Sequence, residues 1–203
     1  MKSRVRIGYQ ADFPPFMYDD GRPAGLVIDA LAPAAEALHE AGVTIDWKPL
    51  LLGGQERSLA EEQVDLLAGL GVTTDRAARL VFGEPLVRTG GALFAPSGAS
   101  VMQRIVTPTA GPLRQSTIDS FPDCEVLDAE DYPDALAKVL AGHADAAALN
   151  IHVGRVLAER EHRGSFELPE ERFTTVELAP AYLQAHDNDL RRLIDEHSNG
   201  LDG

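Results

Sequence analysis

The chain has 203 residues, 44% hydrophobic and 25% charged, enough for one large domain or two small lobes and a composition that excludes disorder as its main character. Lys and Arg number 18 against 32 Asp and Glu, a net charge of -14 whose field repels nucleic acids and anionic membranes. No run approaches the roughly 18 apolar residues of a membrane-spanning helix, and the single cysteine, Cys124, excludes an internal disulfide framework and a multi-cysteine metal site.

Met1-Lys2-Ser3-Arg4 leads directly into an apolar segment without the charged, apolar and small regions of a secretory leader. The expectation is a cytoplasmic protein, or one whose leader has been removed. Arg4 to Tyr9 alternates as a strand and then meets Asp12-Phe13-Pro14-Pro15-Phe16, which predicts an aromatic loop stiffened by prolines. Leu26 to Ala41 has helical spacing, with Leu26, Ala30, Leu31, Ala34, Ala37 and Leu38 as the buried stripe and Gly42 as the stop. A strand over Val43 to Trp47, a short helix over Ser58 to Glu62 and a buried strand over Val64 to Leu70 follow. This alternation predicts an α/β layer with parallel pairs.

Leu86 to Ala95 predicts another strand, and Pro96-Ser97-Gly98-Ala99-Ser100 a linker. Beyond it come strands at Ile105 to Thr107, Glu125 to Leu127 and Ala146 to Leu149, with helices at Pro112 to Ser120, Tyr132 to Ala141 and Ile151 to Glu161. Phe173 to Leu178 is a returning strand and Asn188 to His197 a last helix. Two α/β units joined by a linker point to a ligand cleft at their junction, and one continuous sheet is the alternative.

Gly69-x-Gly71 lacks the third glycine of a dinucleotide fingerprint, because Thr74 stands in its place. The glycines instead allow close backbone approach, Thr73 and Thr74 offer donors to an anion, and Arg76 can grip a carboxylate bidentately. A solvated arginine in a surface helix is the competing reading. Phe13, Phe16 and Tyr18, with Tyr9 close by, suit stacking on a ligand, although Phe16 fits core packing better. The histidines at 39, 143, 152, 162, 186 and 197 show no metal-ligand spacing, so neither a metal nor a cofactor is expected. No nucleophile elbow and no phosphate-binding loop occurs.

Phe13-Pro14-Pro15-Phe16, Gly25 to Leu31, Val64 to Gly69 with Thr73-Thr74-Asp75-Arg76, and Phe82-Gly83-Glu84-Pro85-Leu86 resemble, in order and spacing, the extracytoplasmic solute-binding proteins of amino-acid ABC transporters, family 3 type. Leu136 to Leu140, Gly142 and Ala144 to Ala147 resemble the second-lobe pattern, and Ala181 to Ile194 the final return and helix. The resemblance implies a two-lobed, type II periplasmic-binding-protein-like α/β fold with a hinge and an interlobe cleft. Lobe 1 would comprise residues 1–95 with 179–203, and an abridged lobe 2 residues 96–178.

It implies that Arg76 takes the carboxylate of a small solute, that Gly69, Gly71 and Thr73 line the same wall, and that Phe13 packs over the ligand's side chain. Gln10 falls on a ligand-facing position often acidic in the family, and Thr109 and Gly111 on a loop against the head group. Asn150 stands where amino-acid binders usually carry an aspartate for the α-ammonium. With Gln10 also neutral, the pattern favours a carboxylate ligand lacking a free primary ammonium, or one whose cation is delocalised or alkylated. The implied partners are that ligand and an ABC permease, without nucleic acid or membrane insertion, and the implied location is periplasmic. Two alternatives accompany this reading: a dehydratase like cyclohexadienyl dehydratase, with Asp12 or Glu84 as the acid, and the sensing domain of a signalling receptor.

Overall fold

The computed structural model of the chain describes residues 3–99, 102–184 and 188–200; Ser100 of the expected linker and His186 lie outside them. The chain divides into unit 1, Met1–Arg88 with Glu177–Gly203, and unit 2, Thr89–Val176. It passes from the first to the second within β8 (Val87–Phe94) and returns within β12 (Thr174–Leu183).

In unit 1 the alternating Arg4–Gln10 forms β1, which pairs in parallel with β5 (Thr44–Leu50) along its whole length, from Arg4 opposite Thr44 to Gln10 opposite Leu50. On its other side β1 pairs in parallel with β6 (Leu66–Gly71), which in turn lies antiparallel to β12, with Leu178 opposite Gly71. Every residue of β6 is buried, which its near-continuous apolar sequence permits in an interior strand. Gly8 in β1 is equally closely packed, since a Cβ there would stand 2.8 Å from Leu50 Cδ1.

The segment expected as an aromatic loop contains β2 (Asp12–Phe13), β3 (Met17–Asp19) and β4 (Pro23–Ala24), a small antiparallel sheet with a cis Pro14–Pro15 bond between its first strands. Helix α1 (Leu26–Glu40) buries Val27, Ala30, Leu31, Ala34 and Leu38. The expected stripe is therefore corrected at two places: Leu26 is exposed at the helix entry, and Ala37 is only half-buried, because the inward face is set one residue later by Val27. The helix ends in a Schellman turn in which Val43 N donates to Leu38 O and Gly42 N to His39 O, both at 2.9 Å, with Gly42 at φ 77°.

Helix α2 spans Gln55–Ala60; it begins three residues earlier than expected and ends two earlier, the end being set by Glu62, which leaves the helical region at φ 54° and closes the same kind of turn. Then come α3 (Thr74–Ala77) and β7 (Leu80–Phe82), whose Val81 pairs with Tyr182 of β12. Leu59, Val64, Leu67, Leu70, Leu80 and Ala181 form one core cluster. Helix α7 (Asn188–His197) packs on α1.

Unit 2 has the strand order β10 (Glu125–Ala129), β9 (Arg104–Pro108), β11 (Ala146–Asn150), β8. The first three run parallel, and β11 is antiparallel to β8, with Asn150 opposite Gly91. Helix α4 (Leu113–Ser120) connects β9 to β10 and α5 (Tyr132–Leu140) connects β10 to β11, and α6 (Ile151–Glu161) leads from β11 towards β12. Asp131 caps α5, its Oδ1 accepting from Asp134 N at 2.8 Å. Gly154 lets α6 approach the Phe94 ring, where any Cβ would collide.

One ion pair recurs in both units. Asp65, just before β6, accepts from Arg6 N, Nε and Nη2 at 2.8, 3.1 and 2.9 Å. Asp145, just before β11, accepts from Gln103 N, Arg104 N and Arg104 Nη2 at 3.0, 2.9 and 2.9 Å. Each aspartate also donates its own backbone N–H to the carbonyl of its arginine, at 2.8 and 2.9 Å.

Candidate functional site

In unit 1 the candidate residues gather around the carboxyl ends of β1 and β6. Strand β6 ends at Gly71, and Thr73 adopts extended geometry, φ -135° and ψ 158°, as the N-cap of α3, its Oγ1 accepting from Arg76 N at 3.2 Å. That cap fixes the start of the turn from which the Arg76 side chain folds back: Nη1 donates to Gly71 O at 2.9 Å. Arg76 Nε donates to Glu56 Oε1 at 2.8 Å, and Glu56 Oε2 lies 3.1 Å from Arg79 Nη2. The Arg76 side chain is only 13% exposed. The three residues Gly71, Thr73 and Arg76 are thus connected directly, and Glu56 of α2 joins them.

Glu56 was not visible as a site residue, since it lies twenty positions before Arg76 and no local spacing links the two. Gly69 has a different environment. A Cβ there would stand 3.0 Å from Val27 Cγ1 and 3.5 Å from Met17 Cε, so its missing side chain is used for packing α1 and β3 on β6.

Gln10, at the end of β1, is buried and accepts from Gln55 Nε2 at 2.8 Å. Its own Nε2 is buried and has no partner among the described residues. A buried amide without a partner costs about 1–3 kcal/mol relative to a satisfied one. Phe13 is buried with its ring 5.2 Å from that of Phe16, tilted by 37°. Tyr9 turns instead to Trp47, edge-on at 6.2 Å, and burial, followed by the Asp19 carboxylate, pushes its hydroxyl pKa up. Phe13 and Phe16 thus stack on each other, and Tyr9 packs against β5 through Trp47. Asp12 and Glu84, the acids considered for an elimination, are both exposed.

In unit 2, Asn150 ends β11 and caps α6. Its Oδ1 accepts from His152 N at 3.1 Å and Val153 N at 3.4 Å, and it exchanges hydrogen bonds with the Thr89 hydroxyl, Nδ2 to Oγ1 at 3.0 Å and Oγ1 to Oδ1 at 3.2 Å. Asn150 is thus buried and engaged by its own unit. The imidazole of His152, next along the helix, has its pKa lowered by burial and then by the charges of Arg172 and Arg155. Thr109 and Gly111 sit in the exposed loop before α4; Thr109 N donates to Ala129 O at 3.0 Å. Gly111 has φ 107°, with nothing within 4 Å of a Cβ placed on it. Among the described residues no three His, Cys, Asp or Glu side chains come together as a metal site.

Residues 5–201 match the family model described as bacterial extracellular solute-binding proteins, family 3. No curated protein matched the sequence. Among solved structures, the arginine-bound form of truncated ArgBP from T. maritima is similar over 96% of this chain and 94% of its own, with 19% identity and a TM-score of 0.78. A putative binding component of an ABC transporter from Wolinella succinogenes, complexed with lysine, is similar over 96% of this chain and 88% of its own, with 20% identity and a TM-score of 0.80. The ancestral amino-acid-binding protein AncCDT-1, a precursor of cyclohexadienyl dehydratase, is similar over 96% and 87%, with 20% identity and a TM-score of 0.76. At these identities the likeness establishes the fold, the type II periplasmic-binding-protein class of mixed α/β proteins.

Proposed function

The chain belongs to the family 3 bacterial extracellular solute-binding proteins, and we propose that it binds a small carboxylate-bearing solute, an amino acid or a derivative of one, outside the cytoplasm and delivers it to an ABC-type permease. The observation that carries this reading is the Arg76 guanidinium. It is largely buried and fixed at Nε and Nη1, while among the described residues its Nη2 has no hydrogen-bond partner. A planar fork held in this way matches a carboxylate, and each charge-assisted bond it forms contributes about 1.5–3 kcal/mol. The arginine and lysine held by similar structures support the amino-acid class.

The neutral groups at Gln10 and Asn150 narrow the ligand further. Neither offers the formal negative charge that would compensate a primary ammonium, so the reading favours a ligand with an alkylated or delocalised cation, or none. Phe13 and the orphaned Gln10 Nε2 supply an apolar contact and an amide donor in unit 1. In unit 2, Thr109, Gly111 and Asn150 are the candidates, with Asn150 acting mainly through the cap it places on α6.

A thermal-shift panel of amino acids, N-alkylated and cyclic amino acids, and small hydroxy and keto acids tests the proposal on wild type and Arg76→Ala. At one hundred times the dissociation constant a ligand adds about 2.7 kcal/mol, which raises the melting temperature by several degrees. The expected result is a shift by at least one carboxylate that disappears in Arg76→Ala, with the compound recovered unchanged. Recovery of an altered compound would favour the lyase reading, for which the likeness to AncCDT-1 is the supporting observation. No shift by any carboxylate would remove the case for the binding reading.

A further inference from the structure

On the reading that Arg76 receives the ligand's carboxylate, we propose that Glu56 is the positioning residue of that grip, and that Arg79 keeps Glu56 from covering it. A guanidinium has five N–H donors in one plane. In Arg76 one goes from Nε to Glu56 Oε1 at 2.8 Å and one from Nη1 to Gly71 O at 2.9 Å. Two anchors on opposite sides of a planar group fix its orientation, and they leave the second Nη1 hydrogen and both Nη2 hydrogens for an incoming anion.

The pairing with Glu56 is one-sided. A carboxylate facing arginine alone closes onto two nitrogens of the same fork. Here the second oxygen, Oε2, is turned to Arg79 Nη2 at 3.1 Å, so it does not occupy Arg76 Nη2. Two arginines and one glutamate leave this cluster with a net charge of +1, and an anion is still attracted. Glu56 itself is held in the first turn of α2, next to Gln55, whose amide is bonded to Gln10. The orientation of Arg76 is therefore set before a ligand arrives, and the rotamer entropy that a free arginine would lose on binding is already lost.

The test uses the full chain. Side-chain 15N NMR reads the Arg76 guanidinium, identified by its disappearance in Arg76→Lys, and calorimetric titration with L-arginine, L-lysine and L-glutamine reads affinity. Wild type is expected to show slow rotation of the guanidinium, fast rotation in Glu56→Ala, and slow rotation again in Glu56→Gln, whose amide oxygen can still accept from Nε. The dissociation constant of the best-bound probe is expected to rise about tenfold in Glu56→Ala, the loss of roughly one charge-assisted bond, and to return to within about threefold of wild type in Glu56→Gln. Arg79→Ala is expected to weaken binding about threefold, because Oε2 becomes free to close onto Arg76 Nη2.

A guanidinium that rotates equally slowly in wild type and Glu56→Ala would overturn the proposal, and this arm decides even if none of the three probes binds. Unchanged or tighter binding in Glu56→Ala, with Arg76→Ala inactive, would overturn the proposal while leaving the binding reading intact. Undiminished affinity in Arg76→Ala would overturn both.

Discussion

The stretch from α2 to β6 in unit 1 and the stretch from α5 to β11 in unit 2 are built to one plan. Each helix ends in a Schellman turn, with Gln63 N donating to Ser58 O and His143 N to Lys138 O, both at 2.9 Å. Each turn is followed by the aspartate clamped to an arginine of the neighbouring parallel strand, and then by a fully buried strand. They diverge at the strand ends. β6 runs out to Thr73 and the Arg76 fork, whereas β11 stops at Asn150, whose amide is absorbed by the cap of α6. The common skeleton is a requirement of the parallel sheet, and the residues that differ at its carboxyl ends are where a ligand chemistry can be specified.

The largest expected effect comes from breaking the clamp in one unit and then in the other. The Asp65 side chain is 3% exposed and that of Asp145 24%. Asp65→Ala is expected to cost about 3 kcal/mol in denaturant unfolding, because the Arg6 guanidinium and a backbone N–H lose a buried charged acceptor. Asp145→Ala, with more water to replace its carboxylate, should cost about half as much. Equal losses would show that burial does not distinguish the two clamps.

Asn150→Ala sharpens the contrast at the strand ends. It removes the cap of α6 and leaves the buried Thr89 hydroxyl unpaired, for an expected loss of about 2 kcal/mol. Asn150→Asp should retain most of the stability, since aspartate is a good N-cap and its charge suits the helix start. A full loss in Asn150→Asp would show that the amide donor to Thr89, and not the cap, carries the site.

Unit 2 should also carry an acid-sensitive contribution. The Arg104 side chain, then the backbone N–H groups of Gln103 and Arg104, hold the Asp145 carboxyl below its ordinary value, and Lys138 does the same for Asp134. A carboxylate whose pKa is lowered by folding stabilises the protein at pH values above the unfolded value of about 3.9, and that contribution is lost as pH falls through the lowered folded value. Acid titration of Asp145→Asn is therefore expected to be less steep than wild type below about pH 4. An unchanged profile would contradict the assignment.

The smallest expected effect concerns the turns themselves. Gly142 has φ 75°, whereas the equivalent position in unit 1 is Glu62 at φ 54°, a left-handed conformation that a side chain adopts at a cost. Gly142→Ala should lose about 1 kcal/mol, and Glu62→Gly should gain about 0.5 kcal/mol, both read from unfolding midpoints. No gain at Glu62 would mean that its strain is already relieved.

Where periodicity extends over several turns, the sequence reading and the structure coincide: Ile151 to Glu161 is α6 with the same ends. Strands of two or three residues, β2 to β4 and β7, carry too few positions for an alternation to register. At the candidate site, Thr73 and Arg76 are related by a local capping geometry that sequence spacing conveys, but the Arg76–Glu56 pair depends on how α2 docks beside β6. Asn150 carries a legible signal of its own, since an asparagine immediately before an apolar helical run is an N-cap. The Gln10–Gln55 pair could not be read in advance, because only the parallel register of β1 and β5 brings the loop after β5 to the end of β1.

On the proposed binding reading, unit 1 holds a pre-oriented carboxylate fork at Arg76. This is tested most directly by calorimetric titration of the carboxylate giving the largest thermal shift into wild type, Arg76→Lys and Arg76→Ala. Arg76→Lys, which keeps the charge but loses the planar fork, is expected to bind at least tenfold more weakly, and Arg76→Ala to show no measurable heat. Equal affinity in all three proteins would contradict it.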